Sequence, residues 1–483
     1  MGASVRALRT VDGATDTEIG RHQRTVFVIL WALAHLVHLF NQAGGADLSG
    51  AVWEPLTLLV LAATLLVLLR PTSAWRLAVL ALAQLLHFGA DLPGVANHWH
   101  IVAAVNAGLL AALVTARRRN REDVGNTALA TLLPYARLAL ILAYGTAALA
   151  KLNTAFLDTA HSCAVSMYHD YTAIFAALGL GRPSIPEAVL PWGIAGAELV
   201  IAILLVVPRT RALGAVLAVV FHFWMAASPA ILVFDFTFVL IAVAFLFLPP
   251  QAGAQLVDEL RALRAERAWA RWLFSRPVLW AVLAVVAAVA VQRDALLGEE
   301  GFTLVRWGSL LACGVLATVV FVVTAWRVRG EPVVGQTPAR ARGAVQLTLV
   351  ALLVANALAP FAGGKTVGTF AMFSNLSTEQ QESNHLLLPR LPVDTAQDDL
   401  VEIVEAEDED LAELGEEGWL LSHHELRRHL ADAPETSITY ERDGEVVALD
   451  RAADDPGLVS LDPVRHRLIG HRPVDPDGPE CSW

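Results

Sequence analysis

The feature that most constrains this chain is a series of uncharged, apolar stretches, each near the length of a membrane-spanning helix. A helix of about 20 apolar residues crosses the hydrocarbon core of a bilayer and satisfies its own backbone hydrogen bonds there. Hydrophobic residues make up 55% of the 483 residues, charged residues make up 17%, and the mean hydropathy is +0.52. These values exclude a soluble enzyme, a nucleic-acid-binding protein and a coiled coil. They predict an all-α polytopic membrane protein.

Hydropathy predicts about eleven membrane spans and also their orientation. The predicted spans are 24–43, 51–69, 73–91, 98–116, 133–152, 188–207, 212–229, 230–248, 276–292, 305–325 and 344–360. Loops rich in arginine alternate with loops that hold almost no Lys or Arg. By the positive-inside rule, the N-terminus is cytoplasmic, the C-terminal region is extracytoplasmic, and the chain crosses the plasma membrane many times.

Charge separates a membrane body from an acidic C-terminal region. Residues 361–483 contain 27 Asp and Glu against 9 Lys and Arg, although the net charge of the whole chain is only −12. We therefore predict four parts, which are a cytoplasmic N-terminus (1–23), an eight-helix membrane domain (24–250), a cytoplasmic loop with three further spans (251–360) and an acidic extracytoplasmic domain (361–483).

The acidic region is predicted to be a small α+β domain. Alternating residues around Asp443-Gly444 predict a β-hairpin at Ser437–Asp450. The stretch His424–Leu430 predicts a short helix. Its acidic runs are typical of a solvated surface, because they lack the alternating, glycine-containing pattern of a calcium loop.

Ionisable side chains inside the first eight predicted spans gather at one depth, near the extracytoplasmic side. They are His35, His38, His87, His98, His100, Lys151, Glu198, His222 and Asp235. Such groups are costly in lipid and indicate function by default. Imidazoles with a lysine and two carboxylates suit proton handling. Each histidine alone also fits a neutral ring that is hydrogen-bonded between helices, and each carboxylate also fits a structural pair.

Lysine is scarce in this sequence, so each lysine requires an explanation. Only Lys151 and Lys365 occur among the 35 basic residues. Lys151 closes the fifth predicted span on the same face as Tyr144, among small residues that let neighbouring helices approach. Desolvation disfavours an ammonium, so we expect Lys151 to act as an amine base held by a nearby imidazole. The alternative is a lysine that extends to the interface, which is the interpretation given to Lys365.

The histidines do not predict a metal site. His98-Trp-His100 and the pair of His35 and His38 supply imidazoles, but no Cys or carboxylate stands at ligand spacing to them. No metal is therefore expected.

The three cysteines leave one question open. Cys313 falls inside a predicted span, whereas Cys163 and Cys481 both map to the extracytoplasmic side, where disulfides are stable. A bridge between them and two unpaired thiols fit the sequence equally well, because spacing gives no geometry.

Three segments of the membrane body share their order and spacing with a known family. They are Asn97-His98-Trp-His-Ile at the start of one span, Tyr144-Gly-Thr-Ala-Ala-Leu-Ala-Lys151-Leu-Asn at the end of the next, and Phe221-His222-Phe-Trp further on. This ordered set resembles the vitamin K-dependent γ-carboxylase family and its bacterial relatives, the horizontally transferred transmembrane (HTTM) domain proteins. The resemblance covers about residues 20–250, with a weaker echo in Phe373-Ser-Asn-Leu and Ser383-Asn-His385.

The resemblance implies a function and a site. Lys151 would be the base that deprotonates a reduced quinone (vitamin K or menaquinol), and His98 would position or tune that lysine. In the family, oxygen then converts the quinol to a strong base that removes a proton from a substrate glutamate for CO2 addition. The remaining predicted cofactor-binding residues are His35, His38, His87, Tyr144, Glu198, His222 and Asp235. The implied partners are the lipid bilayer, a lipophilic quinol and a secreted peptide or protein substrate.

Departures from the family pattern keep other functions open. Alanine occupies positions 147 and 148 where glycine is common, and Glu198 stands where the carboxylase has Asp. The C-terminal region is also far shorter than the lumenal domain of the carboxylase, so quinol oxidation could persist without glutamate carboxylation. The alternative function is a non-catalytic HTTM-type accessory protein for maturation or export of a secreted peptide. A transporter is the third function considered, but paired Gly- or Pro-broken spans are not evident.

Overall fold

The computed structural model describes residues 16–42, 55–119, 122–177, 179, 183–227, 234–273, 275, 277–278, 280–282, 293–331, 339–379, 382–391, 393–476, 478 and 481. Within these ranges the chain is mostly helical and carries one small antiparallel sheet. Five helices are long and apolar enough to cross a membrane, namely Glu18–Phe40, Asn97–Arg119, Val124–Ala150, Glu187–Val206 and Val305–Arg327. Four shorter apolar helices are Pro55–Leu69, Arg211–Ala226, Phe234–Phe245 and Gly343–Leu358.

The mostly helical fold with candidate membrane spans is thus confirmed, whereas the count of eleven spans stays a prediction. The predicted span at 276–292 lies largely outside the described residues. The predicted N-terminal part is described only from Asp16 onward.

The helices of the body follow the predicted apolar stretches closely. In chain order they are α1 (Asp16–Gln42), α2 (Pro55–Leu69), α3 (Ala74–Asp91), α4 (Asn97–Arg119), α5 (Val124–Ala150), α6 (Thr154–Leu157), α7 (Cys163–Ala177), α8 (Leu190–Val206), α9 (Arg211–Ala226), α10 (Phe234–Phe245), α11 (Gln251–Glu266), α12 (Ala268–Leu273), α13 (Arg293–Arg327) and α14 (Gly343–Leu358).

The close packing of α4 against α5 positions the candidate site. Gly108 lies directly on the ring of Tyr135, where an added Cβ would come within 2.4 Å of the ring carbon Cε1. The Tyr135 hydroxyl donates to the carbonyl of Ala104 at 3.0 Å. Because the two helices run in opposite directions, the start of α4 and the end of α5 meet at the same end of the bundle. His98 and Lys151 therefore come close to one another.

The chain after α14 folds back over that end of the bundle. The backbone N–H of Thr154 donates to the carbonyl of Asn384 at 3.0 Å, and the N–H of Leu386 donates to the carbonyl of Leu152 at 2.9 Å. Cys163, at the start of α7, forms a disulfide with Cys481. The sequence left open whether these two cysteines are bridged or unpaired, and in the structure they are bridged.

The remainder of the C-terminal region forms the predicted α+β fold. Its strands are β1 (Leu400–Ala406), β2 (Leu420–Ser422), β3 (Ile438–Arg442) and β4 (Glu445–Leu449), in the spatial order β2-β1-β3-β4 with antiparallel neighbours. Its helices are α15 (Glu409–Glu417), α16 (His423–Asp432), α17 (Pro456–Val459) and α18 (Pro463–Leu468). The hairpin prediction is confirmed, because Asp443 and Gly444 turn with φ of 54° and 81° as such a tight turn requires. The predicted helix at His424–Leu430 lies within α16.

Candidate functional site

A cavity of about 70 Å³ lies where α4, α5, α7, α8 and α9 meet the segment that follows α14. Most of its wall is apolar or aromatic. The predicted site residues in that wall are His98, Tyr144, Lys151, Glu198 and His222. A largely apolar cavity with a few convergent polar groups is the usual form of a small-molecule site.

Lys151 and Glu198 form an ion pair in the cavity wall. The Nζ atom of Lys151 lies 3.0 Å from the Oε2 atom of Glu198, and the two side chains are 5% and 6% exposed. The ammonium also lies over the ring of Phe156, 5.8 Å from its centroid. The sequence predicted an imidazole as the partner of this lysine, whereas the structure places a carboxylate from α8 there.

Asp235, at the start of α10, joins two of the predicted histidines. Its Oδ2 atom accepts hydrogen bonds from Nδ1 of His38 at 2.9 Å, Nε2 of His98 at 2.9 Å and Nε1 of Trp99 at 3.1 Å. Its Oδ1 atom accepts from the backbone N–H of Phe236 at 2.9 Å. A carboxylate with four donors is acceptor-only, so each histidine presents an N–H to it.

This arrangement fixes the tautomer of His98. With the proton on Nε2, the Nδ1 atom of a neutral ring carries only a lone pair. That Nδ1 atom is buried and has no hydrogen-bond partner among the described residues. Since His98 is 4% exposed and lines the cavity, the cavity wall contains an unused proton acceptor.

His35 and His38 lie in a layer behind the cavity wall. His35 donates from Nδ1 to the carbonyl of Trp31 at 2.7 Å, and its Nε2 atom lies 3.4 Å from the side-chain nitrogen of Asn106. The ring of Trp99 contacts both histidines, with centroid distances of 5.8 and 3.5 Å. These contacts give His35 the role of a hydrogen-bonded core histidine that supports the layer around Asp235.

The remaining predicted residues divide between the cavity and another location. His222 lines the cavity, and its ring packs against Tyr144 at 5.4 Å and Phe236 at 4.6 Å. His87 lies elsewhere, with Nδ1 2.7 Å from Oδ2 of Asp91 and Nε2 3.0 Å from Oγ1 of Thr57. His87 therefore belongs to the contact between α2 and α3 and not to the cavity wall.

The sequence analysis missed several residues of the cavity wall. They are Tyr171 from α7 and Phe370, Met372 and Phe373 from the segment after α14, together with Met167 and Met225. The sequence contains only four methionines, and the three that follow Met1 all line this cavity. Methionine is flexible and polarizable, which suits a wall that adapts to a ligand. The scarcity of methionine was a signal of the same kind as the scarcity of lysine.

Asparagines attach the segment that follows α14, here called the C-terminal segment, to the rim of the cavity. The side-chain nitrogen of Asn153 donates to the carbonyls of Ala150 at 2.8 Å and Ser374 at 2.6 Å. The side chain of Asn375 accepts from the N–H of Cys163 at 2.8 Å and donates to the carbonyl of His161 at 2.9 Å. These hydrogen bonds hold the segment in place as part of the cavity wall.

The weaker echo motifs of the sequence lie at this same rim. His385 donates from Nε2 to the carbonyl of Leu149 at 2.7 Å, near the end of α5. Asn384 donates to the carbonyl of Asn375 at 2.8 Å and accepts from the N–H of Ser377 at 2.9 Å. Phe373 and Asn375 each have a φ of 51°, which these contacts hold in place.

Lys365 contacts the body beside the cavity instead of extending freely. Its Nζ atom lies 3.4 Å from Nε2 of His100 in the first turn of α4. Burial lowers the pKa of Lys365 to about 8. Both lysines of the chain therefore lie at the contact between the helical body and the C-terminal segment.

Comparison with protein-family models, with curated proteins and with solved structures finds no match for this chain. Among the residues that the structure describes, no group of three or more His, Cys, Asp or Glu side chains is arranged to hold a metal ion. We therefore infer function from the cavity and from the motifs that line it.

Proposed function

We propose that this chain is an integral-membrane, quinol-dependent enzyme of the carboxylase or epoxidase type, with the Lys151–Glu198 pair as its base. The observation that carries the proposal is a buried ion pair in the wall of an otherwise largely apolar cavity. Burying two charges in such surroundings is costly, and the pair can be replaced by apolar residues without loss of stability in many proteins. Its placement against a cavity therefore favours a chemical role.

The donors and acceptors of the cavity fit a reduced quinone, such as vitamin K quinol or menaquinol. The hydroxyl oxygens of Tyr144 and Tyr171 and the Nδ1 atom of His98 are buried without hydrogen-bond partners among the described residues. They offer hydrogen bonds to a ligand that carries polar oxygens on a flat apolar body. The flexible side chains of Met167, Met225 and Met372 line the cavity and can adapt to the shape of such a ring system.

The ion pair can accept a proton while keeping its charges balanced. A proton from a ligand hydroxyl passes to the Glu198 carboxylate, and the Lys151 ammonium then faces the oxyanion that forms. An equivalent route moves a proton from Lys151 to Glu198 first and leaves a neutral amine as the base. When bound, a quinol supplies the electrons and protons for reaction with oxygen.

The predicted membrane topology is part of this proposal. The eleven predicted spans place the cavity near the extracytoplasmic face of the plasma membrane, where a lipophilic quinol arrives from the bilayer. The C-terminal region lies on that side, where a secreted peptide or protein substrate would meet it.

Quinol consumption by the purified full-length protein tests the proposal. We expect oxygen-dependent turnover in the wild type and a loss of about 100-fold or more in Lys151→Met, the range for removal of a general base. His87→Gln is the matched control, because it changes a buried histidine that does not line the cavity. Full activity in Lys151→Met, or no turnover by the wild type, would contradict the proposal.

A non-catalytic HTTM-type accessory protein is the second candidate. The observation that favours it is the edge strand β4 of the C-terminal sheet, where Val446 is 62% exposed. An exposed edge strand can bind an extended peptide by strand addition. Under this function, Val446→Lys would impair maturation or export of the peptide, whereas the double variant Lys151→Met/Glu198→Gln would leave it unchanged.

A further inference from the structure

A second acid–base pair lies at the cavity, formed by His98 of α4 in the wall and by Asp235 of α10 behind it. Nε2 of His98 lies 2.9 Å from Oδ2 of Asp235, and the side chains are 4% and 7% exposed. The first pair, Lys151 and Glu198, belongs to the end of α5 and to α8. Within the described residues, His98 makes no hydrogen bond to Lys151 or Glu198. Two separate pairs therefore reach one cavity, and the second pair reaches it through His98 alone.

We propose that His98, oriented by Asp235, is a second proton acceptor, so that the site takes one proton from each of two hydroxyl groups on the same ligand. The inference rests on the proposed function and assigns the ligand class as an aromatic diol with hydroxyls at opposite ends. His98 thereby acts on the ligand directly and is more than a residue that tunes Lys151.

The surroundings of Asp235 explain why His98 can accept a proton at Nδ1. Asp235 holds the Nε2 proton of His98, which leaves the Nδ1 lone pair free in the cavity wall. When Nδ1 takes up a proton, the imidazolium lies against the carboxylate that already binds it, as in catalytic His–Asp pairs. Trp99 and His38 also donate to Asp235, and these bonds hold the carboxylate in place.

Each of the two ligand hydroxyl groups loses one proton to one acceptor. One ligand O–H bond breaks with its electron pair left on oxygen, and the proton moves to Nδ1 of His98. The second O–H bond breaks in the same way, and its proton moves to the Lys151–Glu198 pair. Asp235 does not touch the ligand, since it does not line the cavity, and is a positioning residue.

A ligand with a single hydroxyl separates the two acceptors. We would use 4-methoxy-1-naphthol, which resembles a quinol but has one oxygen methylated, so that it has a single hydroxyl proton to lose, and we would record its spectrum without oxygen. The absorption of a naphthol shifts to longer wavelength when it loses its proton. The spectrum of the bound probe therefore reports proton transfer without any need for turnover.

Three variants of the full-length protein are compared with the wild type. Lys151→Met/Glu198→Gln removes the first pair, His98→Gln removes the second, and the triple variant removes both. We expect the red-shifted band of the bound naphtholate in the wild type and in the first two variants, and its loss in the triple variant. In the Lys151→Met/Glu198→Gln background, Asp235→Asn should also abolish the band, because an amide forces the His98 proton onto Nδ1.

Two results would overturn the inference. One is complete loss of the band in Lys151→Met/Glu198→Gln while that protein stays folded by thermal unfolding. The other is retention of the band in the triple variant. The outcome is separate from that of the proposed function, because a protein without quinol turnover can still ionise the probe through His98. Equally, turnover without His98-dependent ionisation would leave the proposed function standing and remove this inference.

Discussion

The Lys151 ammonium and the Glu198 carboxylate lie 3.0 Å apart on different helices, and both are almost completely buried. In a low-dielectric interior their attraction is strong, but so is the cost of removing each charge from water. The pair is therefore stable only while both partners are present. The pair also lies in the wall of a cavity, and this placement is the basis of the proposed function.

Removing one partner should destabilise the protein more than removing both. Glu198→Gln leaves the buried ammonium uncompensated, at a cost of about 3–5 kcal/mol, whereas Lys151→Met/Glu198→Gln should recover much of that loss. Thermal unfolding of the purified protein gives the comparison. Glu187→Gln is the control, because its pair with His169 is exposed and its loss should change little. Equal destabilisation by the single and double variants would contradict a charged pair.

Asn153 should be essential for the attachment of the C-terminal segment. Its side chain donates to two carbonyls and accepts from the N–H of Phe156 at 2.8 Å, and the residue is fully buried. Asn153→Ala should cost about 2–4 kcal/mol, since it leaves several buried polar groups unsatisfied. Hydrogen exchange would show faster exchange at Ser374–Ser377 than in the wild type. Unchanged exchange there would mean that the disulfide alone holds the segment.

Several polar residues of the cavity wall could be predicted from the sequence because polar atoms in a membrane are costly. The predicted depth of their side chains was enough to group Lys151, Glu198, His98 and His222, and all four line the cavity. The hydropathy pattern gives depth but not direction around the helix axis, so it did not distinguish a carboxylate from an imidazole as the partner of Lys151. For the same reason it grouped His87 with residues that face the cavity.

The contribution of the C-terminal segment could not be predicted in the same way. Phe370, Met372 and Phe373 belong to a segment without membrane periodicity, and they reach the cavity only because the chain returns to the end of α5. The disulfide between Cys163 and Cys481 joins positions 318 residues apart, and residue spacing gives no geometry over such a separation. The β-hairpin, in contrast, is a local feature and was predicted correctly from its turn residues.

Lys365 should react with amine reagents at unusually low pH. Burial lowers its pKa to about 8, so half of its amine is unprotonated near that pH. Acylation measured by mass spectrometry of the Lys365 peptide should therefore reach half its maximal rate near pH 8. An ordinary exposed lysine has its midpoint near pH 10.4. A midpoint above pH 10 would contradict the buried contact with His100.

His471 should make the C-terminal domain sensitive to acid. Burial lowers its pKa to about 4, with His424 beside it and the nearby Glu425 and Glu379 opposing the shift. The unfolded chain binds a proton below about pH 6.5 and the folded domain only near pH 4. Stability is therefore full above pH 6.5 and falls as the pH drops toward 4.

Hydrogen exchange of residues 398–476 at pH 7.5 and pH 5 measures this loss, after correction for the intrinsic pH dependence of exchange. His471→Gln should weaken the difference, because it cannot titrate. His466→Gln is the control, since His466 lies in the short helix α18 and not in the contact with Ser422. Equal acid sensitivity in the wild type and in His471→Gln would contradict the role of His471.

The most direct test of the central claim is extraction of lipid-soluble quinone from the protein purified from its native membrane. The account predicts quinone near one molecule per chain in the wild type and in Gly145→Phe, where a side chain enters open space on α5. It predicts loss of the quinone in Ala147→Phe, whose added ring fills the cavity from the same helix. Absence of quinone from the wild type, or an equal amount in Ala147→Phe, would contradict the assignment of the cavity as a quinol site.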